Sequence, residues 1–137
     1  MIQARVLVEG EAQGLVLHLE EDLSFWGAID PLNGAIIDRR HPQAGQSICD
    51  RVIVMRRSIG SSSGSAVLLE TLQKGVGPAG IILAEPDQIL TLGAVVSREM
   101  GYGNIPVLQL GLAHWAGLRG EVRINRQGGV RVLGSSC

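Results

Sequence analysis

Aromatic residues are scarce in this chain of 137 residues: one Phe, one Tyr and two Trp, 3% of the total. A core built without rings has to be aliphatic, and Val, Ile, Leu and Ala in alternation suit a sheet packed on a few helices. Cysteine is equally sparse. Cys49 and Cys137 form no Cys-x-x-Cys pair, and with the scattered His18, His41 and His114 they cannot supply a four-ligand zinc or iron–sulfur site alone. We read Cys49 as a small buried thiol and Cys137 as a free one. No apolar run approaches the ~18 residues of a membrane helix. The formal net charge of −1 leaves no global basic field for nucleic acid, and Arg39-Arg40-His41 and Arg56-Arg57 are local clusters. The first residues carry Arg5, Glu9 and Glu11 without an apolar core, so no signal peptide is expected and a cytoplasmic location is.

What is abundant is glycine, 19 residues or roughly twice ordinary usage, which calls for many tight turns. Hydrophobic residues at 45% against 18% charged argue against disorder and for a real core. Residues 3–9 alternate, with Ala4, Val6 and Val8 on one face. Residues 15–19 alternate again, and the two runs suit a hairpin or adjacent barrel strands. The segment 29–34, Ile-Asp-Pro-Leu-Asn-Gly, is a turn signal, followed by a short strand at 35–38. Residues 51–55 form a nearly continuous apolar strand, expected to be central.

From Gly64 the period changes to that of a helix, with Val67, Leu68, Leu72 and Val76 on one stripe. Gly75, Gly77 and Pro78 end it. A second buried strand spans 79–84. Asp87 is placed to cap a helix over 88–100, with Ile89, Leu92, Val95, Val96 and Met100 expected inside. A third strand follows at 105–109, then a helical turn at 112–118 and a hairpin around Gly128-Gly129. Strand–helix–strand–helix–strand across 51–110 implies right-handed crossovers and a parallel sheet. The expected fold class is α/β, with β-rich ends around a βαβαβ centre and one domain over residues 1–137.

The most informative stretch is 53–69, a strand running into Gly60-Ser61-Ser62-Ser63-Gly64 and then into a helix. Such a junction gathers backbone N–H groups and the positive end of a helix dipole, with several hydroxyls beside them. It can hold a carboxylate or phosphate, or lower the cost of a serine alkoxide. No Gly-Lys-Ser/Thr follows, so it is not a P-loop, and the glycine spacing is not that of a dinucleotide site. Gly-x-Ser-x-Gly is met literally with Ser62 at its centre, but a hydrolase also needs an acid and then a histidine in a larger sheet, and only His114 follows. Phe25-Trp26 reads as core, or else as lining for a partner. Asp30 starts its turn, His41 sits in a loop and His114-Trp115 packs at the surface; none is taken as catalytic.

The residues Leu23-Ser-Phe-Trp-Gly-Ala-Ile-Asp-Pro, Ile-Ile-Asp-Arg-Arg-His-Pro, Gly45-Gln-Ser-Ile, Gly60-Ser-Ser-Ser-Gly-Ser-Ala-Val-Leu-Leu, Ala84-Glu-Pro-Asp and Leu92-Gly-Ala resemble, in that order, the small swivelling domain of the aconitase X family. The resemblance implies a β/β/α swivel domain with a barrel-like sheet, and a dehydratase subunit that works only with a large subunit. Iron or an iron–sulfur cluster is expected on that large subunit and no cofactor in this chain. The resemblance also implies that the first serine after the turn's glycine, Ser61, is the general base. In aconitase itself an arginine grips a substrate carboxylate where this chain has Ser63; with that arginine missing, Ser62, Ser63 and backbone amides are left to bind substrate, or the large subunit does. The expected substrate is a small hydroxy acid, cis-3-hydroxy-L-proline going to Δ1-pyrroline-2-carboxylate, with phosphomevalonate as the alternative. A non-catalytic anion-binding module is the reading outside enzymes. Neither nucleic acid nor membrane is expected as a partner.

Overall fold

The computed structural model describes residues 1–60 and 62–134. Eight strands form one sheet: β1 (Ile2–Gln3), β2 (Arg5–Val8), β3 (Ala12–His18), β4 (Val52–Met55), β5 (Gly80–Leu83), β6 (Val107–Gln109), β7 (Glu121–Ile124) and β8 (Gly129–Gly134). Their order is β1-β8-β7-β3-β4-β5-β6-β2. The middle pairs β3–β4, β4–β5 and β5–β6 are parallel, and the outer pairs are antiparallel. The two outermost strands are consecutive in the chain, separated only by Ala4. Ala4 donates its N–H to Gly128 O (2.9 Å) and is buried. The first eight residues therefore run from one edge of the sheet to the other and bring it close to a barrel.

Helix α2 (Gly64–Gln73) links β4 to β5, and α3 (Gln88–Glu99) links β5 to β6, the expected βαβαβ centre. A single turn, α1 (Phe25–Ala28), is broken at Trp26 and Gly27. A 3-10 turn covers Leu112–Gly117.

The central strands are buried on both faces, and their alternation divides two cores. Val52 and Val54 of β4, Ile82 of β5 and Leu108 of β6 point into the barrel with Ala4, Val122 and Val130. Ile53, Met55, Ile81, Leu83 and Val107 point the other way, toward Leu68 of α2, Leu90 of α3 and Phe25. Each fully buried aliphatic side chain contributes roughly 1.5–3 kcal/mol, so two such layers stabilise a sheet that almost lacks aromatics.

Three expectations are corrected. The runs at 3–9 and 15–19 are not paired with each other: β2 pairs β6, while β3 pairs β4 and β7. Alternation identifies a strand but not its partner, because either face of a barrel strand meets an apolar neighbour. The inward face of α3 is Leu90, Gly93, Ala94 and Ser97, while Leu92 and Met100 are 56% exposed. Three of these four are small because α2 lies close: a Cβ on Gly93 would stand 3.0 Å from both Ser65 O and Leu68 Cδ2. Residues 35–38 make only isolated bridges, Ile29 with Ile36 and Ala35 with Ser47, rather than a strand.

Candidate functional site

Strand β4 ends at Met55, and the chain turns through Ser58, Ile59 and Gly60 before α2 begins at Gly64. Gly60 has φ +91, the left-handed region where a side chain is costly. A Cβ there would also stand 2.8 Å from Ser24 Oγ. Ser62 and Ser63 are exposed at the N-terminal end of α2. Ser61 lies outside the described residues. Gly64 is buried, and its missing Cβ admits Ile89 Cγ2 (3.1 Å) and Phe25 Cβ (3.6 Å). Gly64 thus serves the packing of α2 rather than the approach of a ligand.

The turn is held from two sides. On one, Ile59 donates its N–H to Leu23 O (3.1 Å), and Leu23 and Ser58 form a parallel bridge. On the other lies Asp87, 8% exposed. Its Oδ1 accepts from Ile89 N (2.8 Å) and Leu90 N (3.2 Å), the expected cap of α3. Its Oδ2 accepts from Ser58 N (2.6 Å) and from Ser58 Oγ. Ser65, in the first turn of α2, donates its hydroxyl to Ile89 O (2.5 Å). The sequence showed Asp87 as a cap; its grip on Ser58, 29 positions away, had no local signal.

A cleft of about 380 Å³ lies beside the turn, lined in part by Ser24, Trp26, Ile59, Arg39 and Arg40. Arg40 Nε stands 3.7 Å from Asp38. Arg39 makes no ion pair among the described residues. A hollow of about 430 Å³ elsewhere, over β3 and β7, includes none of the turn's residues. Arg56 and Arg57 are both engaged by Asp22: Arg56 Nε donates to Asp22 Oδ1 (3.1 Å) and Arg57 Nε lies 3.7 Å from Oδ2. The hydrogen bond to Asp22, reinforced by its charge, pushes the Arg56 guanidinium pKa further up, so it stays cationic.

The remaining singled-out residues have structural partners. Phe25 is buried, whereas Trp26 is 61% exposed at the cleft, so the aromatic pair divides between core and surface. Asp30 Oδ1 accepts from Leu32 N (2.9 Å), as a turn-starting aspartate does. His41 is buried: its Nδ1 accepts from Gln43 N (3.0 Å), which leaves Nε2 to donate to Glu21 O (3.2 Å). His114 is exposed and Trp115 donates its indole N–H to Leu110 O (2.9 Å). Cys49 is only partly buried; desolvation first, then Asp50, push its thiol pKa up. Cys137 lies outside the described residues. Among the described residues no three His, Cys, Asp or Glu side chains come together as a metal site, and no helix is long and apolar enough to cross a membrane.

The chain is similar to named proteins along nearly all its length. It is 43% identical over 111 residues to the cis-3-hydroxy-L-proline dehydratase of Pseudomonas aeruginosa, a match that covers 81% of this chain and 19% of that protein. The chain thus spans about a fifth of the length of the cis-3-hydroxy-L-proline dehydratases it matches. It is 33% identical over 130 residues to the phosphomevalonate dehydratase small subunit of Pyrococcus furiosus, with 93% of this chain and 97% of that one covered. The crystal structure of Thermococcus kodakaraensis aconitase X in its holo-form superimposes with a TM-score of 0.84 at 31% identity, over 96% of this chain and 97% of that one. These named relatives are dehydratases or aconitase X itself. Residues 1–132 match the aconitase X swivel domain, and the chain belongs to that family.

Proposed function

We propose that the chain forms one swivel domain and serves as the small subunit of an aconitase X-type hydro-lyase, with Ser61 as general base and a large subunit as partner. The observation that carries this reading is the Gly60 turn: a left-handed glycine, with Ser62 and Ser63 exposed at the N-terminal end of α2, beside a cleft lined in part by Arg39. Amide dipoles aimed at one point are what a serine alkoxide needs to exist near neutral pH. The helix dipole adds to them.

The substrate we favour is cis-3-hydroxy-L-proline, supported by 43% identity to a dehydratase of that compound. Ser61 takes the proton from the carbon beside the carboxylate, hydroxide leaves the neighbouring carbon, and the enamine formed tautomerises to Δ1-pyrroline-2-carboxylate. Charge that builds on the carboxylate is met by the turn's amides, by Ser62 and Ser63, and by Arg39. The described residues bring no iron ligand set together. In this reading iron, and the acid that receives the hydroxide, belong to the large subunit.

Phosphomevalonate is the second reading. It is favoured by the match over 97% of a phosphomevalonate dehydratase small subunit. Assay of the complex with its large subunit on both compounds decides between them: turnover of phosphomevalonate alone overturns the first choice. In the active complex, Ser61→Ala should lower turnover by ~10² or more, with assembly intact; retained turnover removes Ser61 as base. The isolated chain should be inactive, and turnover by it alone would contradict the two-subunit reading. Tight anion binding by the isolated chain, with no turnover of either compound by the complex, would favour a binding module.

A further inference from the structure

The loop between β4 and α2 is suspended between two hydrogen-bonded anchors that sit on one element. Before the turn, Ser58 gives both its backbone N–H (2.6 Å) and its hydroxyl to Asp87 Oδ2. After it, Ser65 gives its hydroxyl to Ile89 O (2.5 Å). Residues 87 and 89 belong to the start of α3, which is itself fixed by the bonds from Ile89 N and Leu90 N to Asp87 Oδ1. One buried carboxylate therefore receives four donors and joins the start of one helix to the turn that leads into the other. A helix cap needs only the two from Ile89 N and Leu90 N. Nothing in the needs of α3 calls for the bonds to Ser58, which lies two residues before Gly60.

We propose that Asp87 is a positioning residue: its carboxylate braces Ser58 and so sets where the chain from Ser58 to Gly60 stands relative to α2. The brace itself is independent of any chemistry; its consequence for turnover rests on the reading of Ser61 as base. A base held by a short turn acts only over a narrow range of positions, and small displacements lower the rate steeply.

Asp87→Asn separates the brace from the cap. Asparagine caps helices as well as aspartate does, so its carbonyl keeps the bonds to Ile89 N and Leu90 N. Its amide NH2 then faces the Ser58 N–H, donor against donor, and that bond is lost. Ser58→Ala is the milder companion, removing the hydroxyl and keeping the N–H bond. Two measurements are made on the full chain and on its complex with the large subunit.

The first is amide hydrogen exchange. In Asp87→Asn the Ser58 amide should exchange at least ~10-fold faster while the amides of α3 stay as in the parent, since exchange reports local opening. Unchanged exchange at Ser58 overturns the brace. The second is kcat per assembled complex, expected to fall at least ~10-fold with KM within about threefold, and to fall less in Ser58→Ala. Faster exchange with kcat unchanged would overturn the catalytic consequence. A purely structural role would instead reduce the amount of complex and leave its kcat alone. Should Asp87→Asn fail to fold, Ser58→Ala carries both measurements, with the same signs and smaller size, and its parent-like exchange in residues 59–64 together with parent-like kcat would overturn the proposal. Failure of the Ser61 reading is seen separately, as turnover retained by Ser61→Ala, and leaves the exchange result to judge the brace.

Discussion

Gly60 concentrates two constraints in one position. Its φ of +91 disfavours any side chain, and the space a Cβ needs is taken by Ser24 Oγ at 2.8 Å and Ser24 Cβ at 3.2 Å. Ser24 Oγ is committed to Trp26 O (2.9 Å), so it yields only by giving up that bond. Gly60→Ala should destabilise the chain by about 1–3 kcal/mol, read by urea unfolding, through backbone strain and this contact. An effect below ~0.5 kcal/mol would mean that the turn relaxes freely. At this scale much was legible. Glycine and serine after an apolar strand announced the turn, and Asp87 followed by a helical period announced a cap. The contacts of Ser58 and Ser24 were not legible, because both join residues distant in sequence and neither serine differs locally from an ordinary surface serine. The split of Phe25 from Trp26 was hidden for a related reason: the break at Gly27, φ +86, sends neighbouring rings to opposite environments.

Gly93 stands where α2 and α3 pack closely. A side chain there meets the backbone oxygen of Ser65, which belongs to the first turn of α2 and cannot move aside cheaply. Gly93→Val is therefore expected to cost about 1–3 kcal/mol by overpacking, whereas Leu92→Ser, on the exposed face, should change stability by less than ~0.5 kcal/mol. The reverse order in urea unfolding would restore the helix face expected from hydrophobic period alone. That period pointed to Leu92 and Met100 because a stripe of large apolar residues ordinarily marks the buried side. Here the distance between helices selects Gly93, Ala94 and Ser97 beside Leu90, and Leu92 and Met100 lie outside. Strands were easier to read than helix faces: β4, β5 and β6 stand where continuous apolar runs placed them, since a parallel strand between two cores has no polar side to confuse the pattern.

Closure of the sheet is a property of the whole molecule and rests on the first eight residues. Ala4, at 5% exposure, stands where the chain passes from one edge to the other, in the barrel core with Leu108 and Val130. Ala4→Asp would place a carboxylate among those side chains without a partner and is expected to cost ~3 kcal/mol or more. Val6→Asp, at a position 36% exposed, should be far milder. Equal effects would show that the seam contributes little. The sequence showed one alternating run at 3–9 and a hairpin around Gly128-Gly129, but not the division into β1 and β2 at Ala4, and which edges they close depends on a pairing across more than 120 positions, Ile2 with Val130. That same pairing has an architectural corollary. Because the opening and closing strands lie side by side, a tether entering at one and leaving at the other meets the module at a single point. Such a unit can be hung on a longer polypeptide through a short hinge, or released as a separate piece, without disturbing the residues around Gly60. Its two kinds of named relative differ in length in that way, one about four times as long as this chain and one nearly equal to it.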